Sequence, residues 1–142
     1  MTKDYERMVA GFLFDSNEQF VVLVKKNRPK WQKGKWNGVG GHIEENEEPR
    51  TAMRREFREE TGLNVNEERW SKFVEMYSPT WVVHFYYAFD ESMKVRVNTD
   101  EDIRIFRIHD LPENTIPNLR WLIPLALDNA YGLVKPVQIL YR

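Results

Sequence analysis

The chain has 142 residues, of which 42% are hydrophobic, and a formal net charge of −1. This length and composition predict one folded domain spanning residues 1–142, with enough apolar side chains for a hydrophobic core. The near-neutral charge argues against a broad nucleic-acid-binding face, which needs an excess of basic residues. The absence of cysteine excludes disulfides, thiolate catalysis and cysteine-ligated zinc. Because no apolar signal segment or membrane-length run is present, we expect a cytoplasmic protein.

Hydrophobic periodicity and turn residues predict a mixture of strands and helices. The first two strands should form a hairpin, because the polar residues 15–18 separate two β-rich runs. The basic segment 25–35 is predicted to be a loop, and residues 38–41 form a glycine-rich turn where the backbone can approach a ligand closely. A helix should begin at Pro49 and end before Gly62, which suits the position after the last turn. The remaining predictions are strands at 8–14, 19–24, 36–41, 72–77, 82–89, 103–108 and 137–141, and a second helix at 117–130, kinked or broken near Pro124.

The most informative stretch is 41–63, with the spacing Gly-x5-Glu-x7-Arg-Glu-Phe-x-Glu-Glu-x-Gly-Leu. Each fixed residue occurs by chance roughly once in 15 positions, so the whole pattern should arise accidentally on the order of once in ten million chains of this size. Glu56, Glu59 and Glu60 share one face of the predicted helix. Three neighbouring anions repel one another, and a bound Mg²⁺ or Mn²⁺ would reverse that penalty. A solvated helix face is the alternative.

This stretch matches the signature of the Nudix hydrolases at every specified position, so the chain resembles that family. The resemblance implies an α/β fold, an α/β/α sandwich with a mixed β-sheet, in which residues 41–63 form the Nudix box. It also implies Mg²⁺-dependent cleavage of a nucleoside diphosphate linked to another group, with Mn²⁺ as a substitute metal. The metal ligands implied by the resemblance are Glu56, Glu59, Glu60 and the Gly40 carbonyl. A further acidic ligand is expected from residues 100–102, where we choose Glu101 over the alternative of a plain acidic turn.

The resemblance also suggests which catalytic roles the individual box residues have. One carboxylate should accept the proton of the attacking water; we favour Glu59, with Glu56 as the rival. Arg55 is expected to pair with Glu47 and so orient the metal ligands, and the alternative is a surface ion pair worth at most about 1 kcal/mol. The box residues that are expected to have a structural role are Gly41, Glu47 and Gly62.

Substrate contacts are predicted from the segments around the box. Residues 34–41 are similar to the corresponding segment of Nudix enzymes that act on oxidised purine nucleoside triphosphates, in which the Asn recognises the base edge. Asn37 is therefore a candidate base contact, because an amide offers both a donor and an acceptor; an Asn in a tight turn is the alternative. Trp36 is a candidate stacking surface or a core residue. His42 stands where the subgroup has a phosphate-binding Lys. Asn118 stands where animal members carry an acidic pair, a departure that argues against oxidised-guanine preference.

These features predict a pyrophosphohydrolase that converts a nucleoside triphosphate, standard or oxidised, to a nucleoside monophosphate and pyrophosphate. Pro79, sixteen residues after the box, resembles the ADP-ribose-cleaving branch, so ADP-ribose and dinucleoside polyphosphates are alternative substrates. An RNA 5′-end hydrolase suits the charge less well. From a different class, a non-catalytic nucleotide-sensing module is the alternative. The sequence leaves the base, the sugar and the oligomeric state open.

Overall fold

The computed structural model describes residues 5–91, 93 and 101–142 of the chain. Within these residues eight strands form one mixed sheet, accompanied by two helices, which confirms the predicted fold class. The elements are β1 (Glu6–Phe14), β2 (Phe20–Lys25), β3 (Trp36–Asn37), β4 (Val39–His42), α1 (Pro49–Thr61), β5 (Ser71–Tyr77), β6 (Trp81–Phe89), β7 (Asp102–Arg107), α2 (Leu119–Ala130) and β8 (Val137–Leu140).

The centre of the sheet is a parallel pair of strands from distant parts of the chain. The strand order is β3-β2-β1-β6-β5-β8, with β4 also paired to β1 and β7 paired to β2. In the parallel β1–β6 pair, Glu6 lies opposite Trp81 and Ala10 lies opposite Phe85. Because side chains alternate between the two faces of a strand, every second residue of both strands projects from the same face. This register aligns the two strands that later form the floor of the candidate site.

Each face of the sheet is covered by one helix. Phe12 and Phe14 of β1 belong to one apolar cluster, which also contains Leu119 and Leu122 of α2. The odd-numbered Leu13 belongs to a second cluster, which contains Met53 and Phe57 of α1. The alternation along β1 therefore places α1 and α2 on opposite faces, as expected for an α/β/α sandwich.

The box helix α1 forms where its sequence predicts it. Pro49 occupies the first turn, where its missing N–H costs no hydrogen bond. Gly62 ends the helix in the left-handed region, with φ of 77°, and its N–H donates to the Arg58 carbonyl at 2.8 Å. Phe57 is fully buried and packs 5.2 Å from Trp70. This packing fixes the inward face of α1 and leaves the box carboxylates on its other side.

The second helix differs from its prediction in two ways. It begins at Leu119 rather than at residue 117, and it continues unbroken through Pro124. Pro124 is exposed, whereas its neighbours Leu122 and Ile123 are buried in the core. Packing on the buried side therefore holds the helix together although Pro124 supplies no N–H for its ladder. Among the described residues, no helix is long and apolar enough to cross a membrane.

Candidate active site

Arg55 ties the loop before α1 to the helix itself. Its Nε and Nη2 donate to the two carboxylate oxygens of Glu47 at 2.8 and 2.9 Å, and Nη2 also donates to the His42 carbonyl at 3.0 Å. Only 18% of the Arg55 side chain and 11% of the Glu47 side chain are exposed. The hydrogen bond from Arg55 is the largest cause that lowers the pKa of Glu47. The expected pair is thus a bidentate, mostly buried contact, stronger than a solvated surface ion pair.

The remaining guanidinium nitrogen of Arg55 reaches two of the box carboxylates. Nη1 lies 2.9 Å from Glu56 Oε1 and 3.3 Å from Glu59 Oε2. The Glu56 side chain is only 14% exposed, and burial raises its pKa more than the hydrogen bond from Arg55 lowers it. The carboxylate also lies directly against Gly41, where an added Cβ would fall 2.5 Å from Glu56 Oε2. A side chain at position 41 would therefore require the Glu56 carboxylate to shift.

A cleft of about 1000 Å³ opens beside this network. Its floor is the face of the sheet formed by alternate residues of β1 and β6, including Ala10, Val83 and Phe85. The sheet topology brings the box helix, the glycine-rich turn, the start of β7 and the start of α2 to this one cleft. The predicted site residues that line it are Asn37, Gly40, Gly41, His42, Glu56, Glu60, Glu101 and Asn118.

Glu101 joins the box residues from the start of β7. It is 8% exposed, its Oε2 accepts a hydrogen bond from the Asn27 N–H at 2.6 Å, and its Oε1 lies 3.6 Å from Lys26 Nζ. The charge of Lys26 also lowers the pKa of Glu56, although less than burial raises it. Of the three acidic candidates, Asp102 is exposed and residue 100 lies outside the described residues. Glu101 is thus a buried carboxylate in the same cleft as Glu56 and Glu60.

Basic side chains of the protein contact these carboxylates. Within the described ranges, no three acidic or histidine side chains are gathered closely enough to form a ready metal cage. Arg55 instead bridges Glu56 and Glu59, and Lys26 pairs with Glu101.

Among the predicted metal-binding and substrate-binding residues, Glu59 and Trp36 do not line the cleft. The Glu59 side chain is 53% exposed and contacts Arg55 at the rim. Trp36 is 6% exposed and packs edge-on against Phe106 at 4.7 Å. The prediction of Trp36 as a stacking surface for the substrate is therefore wrong, because β3 directs this side chain into the core. The alternative of a core residue describes it correctly.

The two candidate base-recognising asparagines differ in their hydrogen bonds. Asn37 Oδ1 accepts from the Gly38 N–H at 2.8 Å, and its Nδ2 donates to Gln32 Oε1 at 3.0 Å. The Asn37 amide thus has both a donor and an acceptor contact within the chain. By contrast, Asn118 Oδ1 is shielded from solvent and accepts no hydrogen bond from the part of the chain that the structure describes. A buried acceptor without a donor costs about 1–3 kcal/mol, and Asn118 is one of the residues that line the cleft.

Sequence reasoning did not identify the aromatic wall of the cleft. Trp31 is 65% exposed at the cleft, and Trp81 lies with its ring centroid 5.9 Å from that of Tyr141. In the sequence alone, Trp31 and Trp81 are equally compatible with an interface, the core and a pocket wall. The alternation of Trp81, Val83 and Phe85 along β6 was the signal that could have placed Trp81 on the cleft face.

Comparison with known proteins agrees with this fold and with the box. A model of the NUDIX domain matches residues 4–125. The GDP-mannose pyrophosphatase of Citrobacter koseri is 34% identical over 111 residues, which cover 68% of this chain and 56% of that protein. The GDP-mannose pyrophosphatase of Salmonella typhimurium is 32% identical over 109 residues with the same coverage. The chain thus spans about half the length of these curated relatives.

Solved structures show the same architecture. The NUDIX hydrolase from Nitrosomonas europaea superposes with a TM-score of 0.76 at 17% identity, covering 99% of this chain and 81% of that one. The NUDIX domain of Shewanella oneidensis NrtR, complexed with ADP ribose, superposes with a TM-score of 0.76 at 19% identity, covering 91% and 90%. Fold and cleft therefore define an α/β/α sandwich with an acidic nucleotide-sized site. The chain belongs to the Nudix hydrolase family, as its box predicted.

Proposed function

We propose that this chain is a divalent-metal-dependent pyrophosphohydrolase that cleaves a phosphoanhydride bond of a nucleoside diphosphate derivative. One observation carries the proposal: the carboxylates of Glu56, Glu60 and Glu101 line one cleft together with the amide side chains of Asn37 and Asn118. Carboxylates suit metal-assisted phosphate chemistry, and an amide offers a donor and an acceptor to the edge of a nucleobase. A cleft with both features fits a ligand that has a base at one end and phosphates further along.

The donor set fits Mg²⁺, with Mn²⁺ as a substitute. Carboxylate oxygens and a backbone carbonyl are the ligands that these hard cations prefer. In this chain they would come from Glu56, Glu60, Glu101 and the Gly40 carbonyl, with Glu59 at the rim. Burial already raises the pKa of Glu56, so its anion lacks full compensation from Arg55 and Lys26. A bound divalent ion would neutralise phosphate charge and lower the pKa of an attacking water.

Residues of the chain would also orient the carboxylates and accept the proton of the attacking water. Arg55 fixes the loop 42–48 and the carboxylates of α1 in one arrangement through its contacts with Glu47 and Glu56. Glu59 is our proposed proton acceptor, since it is exposed at the rim and close to the other carboxylates. Glu56 is the rival, because its raised pKa brings it nearer to the range in which a general base works best at neutral pH.

Two substrate classes satisfy the proposal. The first is a nucleoside triphosphate, cleaved to a nucleoside monophosphate and pyrophosphate. The second is a nucleoside diphosphate joined to a sugar, which is supported by the names of the curated relatives and by the ADP-ribose bound to the Shewanella domain. The cleft, at about 1000 Å³, is at the upper end of typical small-ligand sites and has room for a group beyond one nucleotide.

A substrate panel tests the proposal. The protein would be incubated with Mg²⁺ and with standard and oxidised nucleoside triphosphates, nucleotide sugars, ADP-ribose and diadenosine polyphosphates, and products resolved by mass. We expect a nucleoside monophosphate from at least one substrate, with formation abolished by EDTA and reduced several hundredfold in Glu59→Gln. No product from any compound, despite measurable nucleotide binding, would contradict hydrolysis and favour the nucleotide-sensing alternative.

A further inference from the structure

The cleft extends along the strands between two chemically different ends. At one end, the Ile116 N–H donates to the Trp36 carbonyl at 2.9 Å, which anchors the segment leading to Asn118 beside the glycine-rich turn. That turn is level with Gly11, since Val39 lies opposite Gly11. The other end lies at Glu6, five residues back along β1. At about 3.3 Å per residue the two ends are roughly 16 Å apart, and the box carboxylates border the cleft alongside this path.

The far end is built from aromatic rings that the backbone holds in place. The Tyr141 N–H donates to the Tyr77 carbonyl at 2.7 Å, and Tyr5 Oη donates to the Trp81 carbonyl at 3.1 Å. The rings of Trp81 and Tyr141 are 5.9 Å apart at an interplanar angle of 44°, and Tyr141 remains 40% exposed. The result is an anchored apolar surface that faces the cleft.

The rim of this end is polar. Glu6 lies directly opposite Trp81 in the sheet register, and its Oε1 is 4.0 Å from His42 Nε2. Both side chains are more than half exposed and both line the cleft. A carboxylate accepts hydrogen bonds from hydroxyl groups, whereas it repels a terminal phosphate. An aromatic surface beside a hydrogen-bond acceptor therefore suits a neutral, hydroxylated ring better than a third phosphate group.

We propose that Trp81, Tyr141 and Glu6 form a subsite for the sugar ring of a nucleoside diphosphate sugar. The inference rests on the proposed function and selects the second of its two substrate classes. The base lies at the Asn118 end, the diphosphate lies along the glycine-rich turn and the carboxylates, and the apolar face of the sugar packs on Trp81 and Tyr141. The sugar hydroxyls donate to Glu6. A nucleoside diphosphate sugar placed in this way contacts both ends of the cleft. A nucleoside triphosphate would contact the Asn118 end with its base but would not use the aromatic end.

Equilibrium titration of the metal-free protein tests the subsite without relying on turnover. The ligands are an ADP-hexose and a GDP-hexose, each compared with the β-methyl ester of the same nucleoside diphosphate, which keeps the charge but lacks the sugar. We expect the hexose compounds to bind at least tenfold more tightly than their methyl esters. In Tyr141→Ala this advantage should fall below threefold, and Glu6→Gln should reduce it severalfold. Tyr141→Ala alters a side chain that is 40% exposed, so folding should be preserved.

Trp121→Leu is the matched control, since Trp121 is 42% exposed on α2 and does not line the cleft. It should keep the full tenfold advantage. The subsite is refuted if the wild-type protein shows no advantage for the hexose compounds. It is also refuted if Tyr141→Ala weakens hexose and methyl ester equally, which would assign the aromatic rings to the base. A tenfold advantage without any hydrolysis in Mg²⁺ would support the subsite and contradict the proposed function alone.

Discussion

The carboxylate region around Arg55 and the proposed base-binding end at Asn118 differ in how their polar groups are satisfied. Arg55 donates to Glu47, Glu56 and a backbone carbonyl, so that region is held together by the protein itself. Asn118 Oδ1 has no donor among the described residues and is shielded from water. The first region is thus organised by the protein alone, whereas the second leaves one buried acceptor without a donor among the described residues. Substitutions in the first should reduce turnover or stability, and substitutions in the second should reduce affinity.

The largest expected effect concerns the proton acceptor of the carboxylate region. Glu59→Gln should reduce kcat several hundredfold, within the 10²–10⁴ range typical of a lost general base. Because the side chain is 53% exposed, the Tm should stay within about 1 °C of the wild-type value. Steady-state kinetics on the best substrate of the panel, with circular dichroism for the Tm, measure both. Glu56→Gln is the matched variant: if Glu59→Gln costs less than tenfold, Glu59 is not the base and Glu56 takes its place.

The next effect concerns the orientation of the carboxylates. Arg55→Lys keeps the charge but removes the bidentate contact with Glu47, and we expect a 10- to 100-fold loss of kcat, as for other contacts that orient ligands. Unfolding free energy should fall by about 2 kcal/mol, because a mostly buried carboxylate loses charge-assisted hydrogen bonds. Urea denaturation measures the second effect. Arg54→Lys, a change at the preceding and more exposed position, is the control, and equal losses in both variants would rule out a special role for Arg55.

At the base-binding end, affinity should change more than rate. Asn118→Leu removes an amide that lines the cleft, so KM for a purine nucleotide should rise about tenfold, while kcat stays within about twofold. The Tm should not fall, since the wild-type oxygen has no protein donor to lose among the described residues. Initial-rate kinetics over a range of substrate concentrations separate the two constants. An unchanged KM, or a loss confined to kcat, would show that Asn118 does not contact the base.

The smallest expected effect is a pH dependence of stability in the metal-free protein. Burial raises the pKa of Glu56 above its value of 4.5 in an unfolded chain, so the ionised form costs stability at neutral pH and protonation relieves that cost. The Tm of Glu56→Gln should therefore exceed the wild-type Tm by a few °C at pH 8, and the gap should close as the pH falls towards 4.5. Glu47 has the opposite sign: its lowered pKa gives stability that is lost only as the pH falls below 4.5.

Thermal unfolding of both variants and the wild type in EDTA, from pH 4 to pH 8, measures this dependence. A Glu56→Gln variant that is less stable than the wild type at every pH would contradict the inferred cost of burying this carboxylate. Glu47→Gln serves as the control, because its stability loss should be largest at neutral pH.

The carboxylate region was more predictable from sequence than the rest of the cleft for a physical reason. The box residues lie within one helix and the loop before it, so their spacing alone determines which side chains meet. Both a core position and a stacking role were open for Trp36, because its burial depends on Phe106 of β7, far away in the chain. The contact between Trp81 and Tyr141 likewise requires the parallel pairing of β5 and β8. Such long-range register leaves no local signal in a single sequence.

A Mn²⁺ titration by calorimetry tests the central claim most directly, namely that the box carboxylates of this chain hold the catalytic metal. The wild-type protein would be compared with Glu59→Gln/Glu60→Gln and, as a control on the same helix, with Arg58→Lys, whose side chain is exposed. We predict that the wild type and the control bind Mn²⁺ and that the double variant loses this binding. Absence of binding in the wild type, or equal binding in all three proteins, would contradict the account.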